Sequence, residues 1–205
     1  IFLSKEDKMY KIAILGYGIV GGSISRILND GKSKIKAYTG KDAQLAYILD
    51  LKDFPDDPFG NLVVKDIDTI LKDKDVKVIC ETMGGIGAAY DFTKRALSRG
   101  ISVCSSNKEL VSTYGAELVS LAKENNCSYL FEAAVGGGIP VLRPFSSSLI
   151  HEKINRVSGI INGTTNFMLT RMNKLGDNFE GSLKAVFMAP SWHASAHRPQ
   201  PLHFS

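Results

Sequence analysis

Long apolar runs are missing from this sequence. No stretch of its 205 residues approaches the ~20 consecutive apolar positions that a membrane-spanning helix needs. Runs of Lys or Arg are missing too. The basic residues are scattered and the formal net charge of +4 is mild, so the electrostatic footprint of a nucleic-acid binder is absent. Cysteine is sparse: Cys80, Cys104 and Cys127 are widely spaced, no CxxC occurs, and the number is odd. Neither a disulfide framework nor a zinc knuckle is indicated, and a reducing compartment, the cytoplasm, is expected. A secretory signal is lacking, because the opening IFLSKEDK is charged and no long apolar region follows it. The first strand-like run opens at Met9, so residues 1–8 read as a leader.

What is present is enough apolar residue, 44%, for a packed core. The chain alternates short apolar runs with segments of helical spacing. Strands are predicted at Lys11–Leu15, Lys34–Tyr38, Leu62–Lys65, Val76–Thr82, Ile101–Cys104 and Ser128–Ala133. Helices are predicted from Val20 to Asn29-Asp30-Gly31, over Ala43–Leu51, around Ile67–Leu71, and over Ala88–Arg99 and Ser112–Asn125. That alternation predicts parallel βαβ units and a doubly wound α/β sheet. After Pro140 a helix, a strand Ile154–Ile161 and a helix from Thr164 to Lys174 are expected. The last stretch, APSWHASAHRPQPLHFS, holds three of the four histidines, three of the seven prolines and the single tryptophan, without periodicity. It reads as unrelated or out-of-frame sequence. His193 and His197 are four apart there, but Pro190 and Pro199 bracket them and no carboxylate is near, so a metal role is not expected.

Five motifs carry chemistry. Gly16-Tyr17-Gly18-Ile19-Val20-Gly21 is a GxGxxG between a predicted strand and helix. In that context the glycines serve a tight turn, close approach of a pyrophosphate, and helix–strand packing, while the helix N-terminus attracts the anion. The residues after strand two decide between NAD and NADP. With that strand at 34–38, they are Tyr38-Thr39-Gly40-Lys41-Asp42, where Lys41 favours a 2′-phosphate, Asp42 a free ribose, and a solvated turn is as good a reading. Glu81-Thr82-Met83-Gly84-Gly85 and Ser105-Ser106-Asn107-Lys108 both follow strands, where ligands of such sheets collect. The glycine pair could let backbone approach a ribose, and Lys108 could reach a substrate, against the plainer readings of a turn and a solvated lysine. Glu132, with the three glycines of Val135-Gly136-Gly137-Gly138, could offer oxygens to a hard cation. In Asn162-Gly163-Thr164-Thr165-Asn166, hydroxyls and amides stand at a strand–helix junction, where a threonine could also be a simple cap.

Together these pieces resemble the homoserine dehydrogenase family. The similarity runs from about Met9 to about Lys184, most specifically through FEAAVGGGIP (Phe131–Pro140) and SGIINGTTNFMLTRM (Ser158–Met172). The resemblance implies a Rossmann-type NAD(P)-binding domain over 9–133 and the start of an incomplete α+β catalytic and dimerisation domain over 134–184, with 185–205 a divergent, possibly frame-shifted tail. It implies NAD- or NADP-dependent interconversion of L-homoserine and L-aspartate 4-semialdehyde, a step toward threonine, methionine and isoleucine. Carried over residue by residue, Gly16, Tyr17, Gly18, Ile19, Val20, Gly21, Met83 and Gly84 are expected cofactor contacts. Lys108 is the expected active-site lysine near cofactor and substrate, and Thr164 a substrate contact. Glu132 with the carbonyls of Val135, Gly137 and Ile139 is the expected sodium site. Partners are a small-molecule substrate and further copies of the chain, a homodimer or homotetramer for a full-length member. The departures are Ser105-Ser106 where the family has Thr-Ala, no Arg at strand two, and no acidic substrate-binding segment or second catalytic lysine after Lys184. The alternative is therefore a non-catalytic dinucleotide-binding fragment of such an enzyme. A third reading, the reductase part of an aspartokinase fusion, finds nothing kinase-like to support it.

Overall fold

A computed structural model describes residues 9–159 and 163–188. The leader 1–8 and the tail from 189, with its histidines, lie outside the described residues. The chain divides into two compact units, the boundary falling between Leu142 and Arg143.

The first unit begins with strand β1 (Tyr10–Leu15), the Gly turn, and helix α1 (Ile19–Asp30), which Gly31 ends. Helix α2 (Lys32–Thr39), strand β2 (Ala43–Leu49), the short strand β3 (Val63–Val64) and helix α3 (Ile67–Lys72) follow. Then come β4 (Val76–Glu81), α4 (Gly87–Leu97), β5 (Ser102–Ser105), α5 (Lys108–Glu124), β6 (Tyr129–Leu130) and a single helical turn α6 (Glu132–Val135). All six strands run parallel in the order β3-β2-β1-β4-β5-β6. This is the doubly wound order, with its switch point between β1 and β4. The centre of the core is apolar residues from both faces of the inner strands, Ala13, Ile14, Leu15, Ile48, Ile79 and Val103, all wholly buried.

Strand two is not where the residue pattern placed it. Lys34–Tyr38 lies inside α2, and Ala43–Leu49, expected to be helical, is β2. The reason is physical. KIKAY alternates charge and apolar residue as a half-buried strand does, yet α2 buries none of its residues and is bounded by Gly31 and by Gly40 in the left-handed conformation, whose N–H closes onto the Lys36 carbonyl. AQLAYIL contains helix formers, but it pairs along its length with β1 and at Ile48–Leu49 with β3, and every residue in it is at least partly buried, so it reads as a nearly continuous apolar run. Helix α5 starts at Lys108, one turn before the expected Ser112, because the Asn107 side chain caps it by accepting the Leu110 N–H at 3.0 Å.

In the second unit the expected helix after Pro140 is present as a short π-helical turn, Pro144–Ser148. The expected strand from Ile154 is not formed over 154–159, and its last residues lie outside the described set. A strand needs a neighbour to hydrogen-bond to, and none of the described strands lies in this unit. Helix α7 (Gly163–Leu175) stands as expected; α8 (Phe179–Met188) was not foreseen. The two are joined through Gly176 in the left-handed conformation, an Arg171–Asp177 ion pair at 2.6 Å, and Asn178, which accepts the Gly181 N–H. Asn178 before Phe179-Glu180 is the start signal that the pattern held. Among the described residues no helix is long and apolar enough to cross a membrane.

The amino end of the sheet is held by charge. Lys11 Nζ lies 2.7 Å from Asp73 Oδ2, the Tyr47 hydroxyl donates to the same oxygen at 2.8 Å, and the Asp75 N–H donates to Oδ1. The Lys11 ammonium and these donors hold the Asp73 carboxyl down at about 2, from 3.8. A carboxyl whose folded pKa is depressed stabilises the fold above its unfolded value and loses that contribution as pH falls through the folded one. The thermal midpoint of the parent is therefore expected to fall more steeply between about pH 4 and pH 2 than that of Asp73→Asn. Parallel curves for the two proteins in a calorimetric pH series would remove Asp73 from the acid response.

Candidate functional site

The carboxyl ends of β1, β2, β4 and β5 bring together most of the residues singled out from the sequence. At the switch point Gly16 takes a φ of +89°, a conformation that L side chains rarely adopt, and its N–H donates to the Leu49 carbonyl at 2.9 Å. A Cβ on Gly21 would stand 2.1 Å from the Gly16 carbonyl oxygen, so only glycine allows α1 to pack this close. Gly18 is different, since a Cβ there would meet nothing within 4 Å. The fold does not require glycine at Gly18, whereas an anion approaching the backbone does.

Gly18 is also the N-cap of α1, and it provides no side-chain cap. The first turn carries no acidic residue. The first N–H groups of a twelve-residue helix, at the positive end of its dipole, thus face the turn without a carboxylate from that turn to satisfy them. Ile19 and Val20 are exposed here, and neither belongs to the core. This cradle fits the pyrophosphate of a dinucleotide.

Tyr17 is fixed at three points. Its N–H donates to Asp50 Oδ2 at 2.7 Å, its hydroxyl to Asp57 Oδ1 at 2.7 Å, and its ring meets Phe54 edge-on with centroids 4.9 Å apart. The connection after β2 is thereby tied to the glycine turn. Burial and the Asp57 carboxylate raise the Tyr17 hydroxyl above its usual range, while the Phe59 N–H and that hydroxyl hold Asp57 below the usual carboxylate range. Because β2 ends at Leu49, the residue after strand two is Asp50. Lys41 and Asp42, the expected discriminators, stand at the opposite end of the strand, where Asp42 pairs with Lys36. The acid at the close of the run AYIL was the missed signal.

Beside β1, the Thr82 hydroxyl lies 3.0 Å from the Leu15 carbonyl and 2.8 Å from that of Gly16, which locks the glycine turn to the end of β4. Behind it Glu81 is wholly buried. Its carboxylate accepts the Met83 N–H at 2.8 Å and the Ser105 hydroxyl at 2.5 Å. Burial pushes the Glu81 carboxyl up, opposed by the Ser105, Met83 and Asn107 donors. The Asn107 amide donates to the carbonyls of Met83 and Gly85, at 3.3 and 2.7 Å. Met83 and Gly84 are therefore held in place by two buried polar side chains. The sequence motif included both of them without a role.

Lys108 is the first residue of α5, exposed, with no hydrogen-bond or ion-pair partner among the described residues. A cation in the first turn of a helix is disfavoured by the dipole by about 0.3–1 kcal/mol. This lysine, placed there against that cost one residue after the Asn107 clamp, stands just past β5 at the same carboxyl end of the sheet as the glycine turn. Glu132 Oε1 accepts the N–H of Leu142 at 2.8 Å and also that of Val141. It closes the glycine loop that carries Val135, Gly137 and Ile139. The carbonyls of those three residues accept no backbone N–H from the described residues. Thr164 is exposed on the first turn of α7, in the second unit.

A family model described as "Homoserine dehydrogenase, NAD binding domain" matches residues 16–132, and a second, "Homoserine dehydrogenase", matches 140–187. The homoserine dehydrogenase of Bacillus subtilis is 35% identical over 181 residues, covering 86% of this chain and 42% of its own length. The structure of a homoserine dehydrogenase from Thiobacillus denitrificans superimposes with a TM-score of 0.78 at 27% identity, over 95% of this chain and 44% of that one. A hyperthermophilic archaeal homoserine dehydrogenase in complex with NADPH shares the fold, with a TM-score of 0.72 at 23% identity, over 94% of this chain and 63% of that one. The chain thus spans less than half the length of its Bacillus relative.

The three glycines of the turn separate binding from folding. Gly18→Val is expected to leave the thermal midpoint near that of the parent and to abolish NADH and NADPH binding in a fluorescence titration. Gly21→Ala is expected to cost about 1–3 kcal/mol of stability by overpacking. A Gly18→Val protein that binds both nucleotides normally would remove the turn from the site.

Proposed function

Since the chain belongs to the homoserine dehydrogenase family, we propose that it supplies the NAD(P)-binding domain and the opening of the catalytic domain of an enzyme interconverting L-homoserine and L-aspartate 4-semialdehyde. The observation that carries this reading is the Gly18 cradle, which leaves room at a helix N-terminus where the fold has no use for a glycine. The Gly16–Gly21 turn and α1 hold the pyrophosphate, while Met83 and Gly84 bear on the nicotinamide end. The bound nicotinamide supplies the hydride acceptor. Held by the Gly16–Gly21 turn with Met83 and Gly84, a nicotinamide would accept the hydride of the substrate alcohol's C–H bond, while the O–H proton would pass to the protein. Lys108 holds the hydroxyl and takes part in moving that proton. Thr164 contacts the substrate. Asn107 and Glu81 keep the Met83 loop and the start of α5 in reacting register.

Glu132 and the carbonyls of Val135, Gly137 and Ile139 suit a hard cation, sodium, which prefers oxygen ligands. A cation held there would brace the glycine loop. No group of three or more acidic, His or Cys side chains suited to a metal occurs among the described residues, and a site built largely of carbonyls needs none. The whole protein works in the cytoplasm as a homodimer or homotetramer.

For the 205 residues alone, the reading is cofactor binding without turnover, because the chain covers only 42% of the length of the Bacillus enzyme. NADH or NADPH is expected to bind, and L-homoserine to produce no NAD(P)H at 340 nm. Robust turnover would overturn the second half of that reading, and failure to bind either nucleotide the first. In a longer protein containing this sequence, Lys108→Ala is expected to lower kcat about 100-fold or more, and full activity would remove Lys108 from the mechanism. Sodium chloride is expected to raise the thermal midpoint above that in choline chloride of equal ionic strength. Equal midpoints would count against the cation site.

A further inference from the structure

The placement of β2 puts an acid at a position that sequence pattern assigned to other residues. In doubly wound sheets the residue just past strand two meets the adenosine ribose: an acid accepts its 2′-hydroxyl, and a base accommodates a 2′-phosphate. Here that residue is Asp50, and both of its carboxylate oxygens are held by main chain. Oδ2 accepts the Tyr17 N–H at 2.7 Å, inside the glycine turn itself, and Oδ1 accepts the Lys52 N–H at 2.9 Å.

From this geometry we infer that Asp50 makes the site selective for NAD(H) over NADP(H), by fixing a carboxylate where the 2′ substituent of the ribose arrives. The inference rests on the dinucleotide reading of the Gly16–Gly21 turn. An ionised carboxylate only accepts hydrogen bonds. A ribose hydroxyl donates to it. A 2′-phosphate at neutral pH brings negative charge against it, and like charges brought together this way discriminate by repulsion. Two main-chain anchors keep the carboxylate from swinging aside.

The neighbouring cations do not reverse the balance. Lys65 donates to the carbonyls of Leu51 and Lys52, at 3.1 and 2.7 Å, and pairs with Asp53 at 2.7 Å. Lys41 donates to the Tyr10 hydroxyl at the far end of β2, and Arg26 acts on the Asp57 carboxylate. Leu49, the last residue of the strand, is buried and apolar. Lys52, whose N–H anchors Asp50 Oδ1, is exposed.

The test is a pair of fluorescence titrations, NADH and NADPH, on the 205-residue chain at low ionic strength. NADH is expected to bind about tenfold tighter or more. Asp50→Asn keeps an acceptor for the Tyr17 N–H and removes the charge, and is expected to bring the two dissociation constants to within about threefold of each other. Parity or a preference for NADPH in the parent would overturn the inference. So would an Asp50→Asn protein that keeps the parent's ratio. Should that variant fail to fold, the parent itself still decides: added salt screens the repulsion and is expected to narrow the ratio, and a ratio indifferent to salt would count against Asp50. Binding of neither nucleotide would overturn the dinucleotide site along with its selectivity, whereas tight binding of both at parity would overturn the selectivity alone.

Discussion

Glu81 is an acid buried at the end of a central strand, with no cation paired to it among the described residues. An ionised group in that position is costly unless donors surround it. The donors come from the segments the site is made of: the Met83 N–H from the loop after β4 and the Ser105 hydroxyl from the end of β5. Asn107 then spans the same two segments through Met83 and Gly85 and caps α5. The need to satisfy one buried carboxyl group thus sets the spacing between the Met83 loop and the helix that begins with Lys108. A hydrogen-bonded buried network of this kind holds together only when all of it is satisfied, which gives the site rigidity and makes each member sensitive to substitution.

On the other side of the switch point the glycine turn is set by sterics. Gly16 supplies a backbone angle, Gly21 a contact distance, and Gly18 room for a ligand. Thr82 joins the two halves, because its hydroxyl reaches the Leu15 and Gly16 carbonyls from the residue next to Glu81. The glycine turn and the Lys108 helix are therefore parts of one framework, although 86 residues of chain separate Gly21 from Lys108.

Much of this was legible in the residues. The GxGxxG lay between a strand and a helix as read, and β1, α3, β4 and the Asn-Lys motif fell close to their expected places because their apolar spacing and capping residues agree. The exchange of α2 and β2 shows where legibility ended. Periodicity reports which face of an element is wet, and α2 buries none of its residues while β2 is at least partly buried at every position, so neither carries the signature of its type. That single error moved the end of strand two and hid Asp50. Glu81 was hidden for another reason: a glutamate in a motif gives no sign that it is buried, and only the pairing of β4 with β5 places Ser105 opposite it.

The Lys11–Asp73 pair stands at the amino end of the sheet and the glycine turn at the carboxyl end, a strand of six residues or about 20 Å apart. They share no residue and no hydrogen bond among those described. Changes at sites so far apart combine additively. A lineage moving to a more acidic habitat could therefore rework the charges beneath the sheet while its nucleotide chemistry stays constant, and a lineage changing cofactor could do so without renegotiating its tolerance of acid.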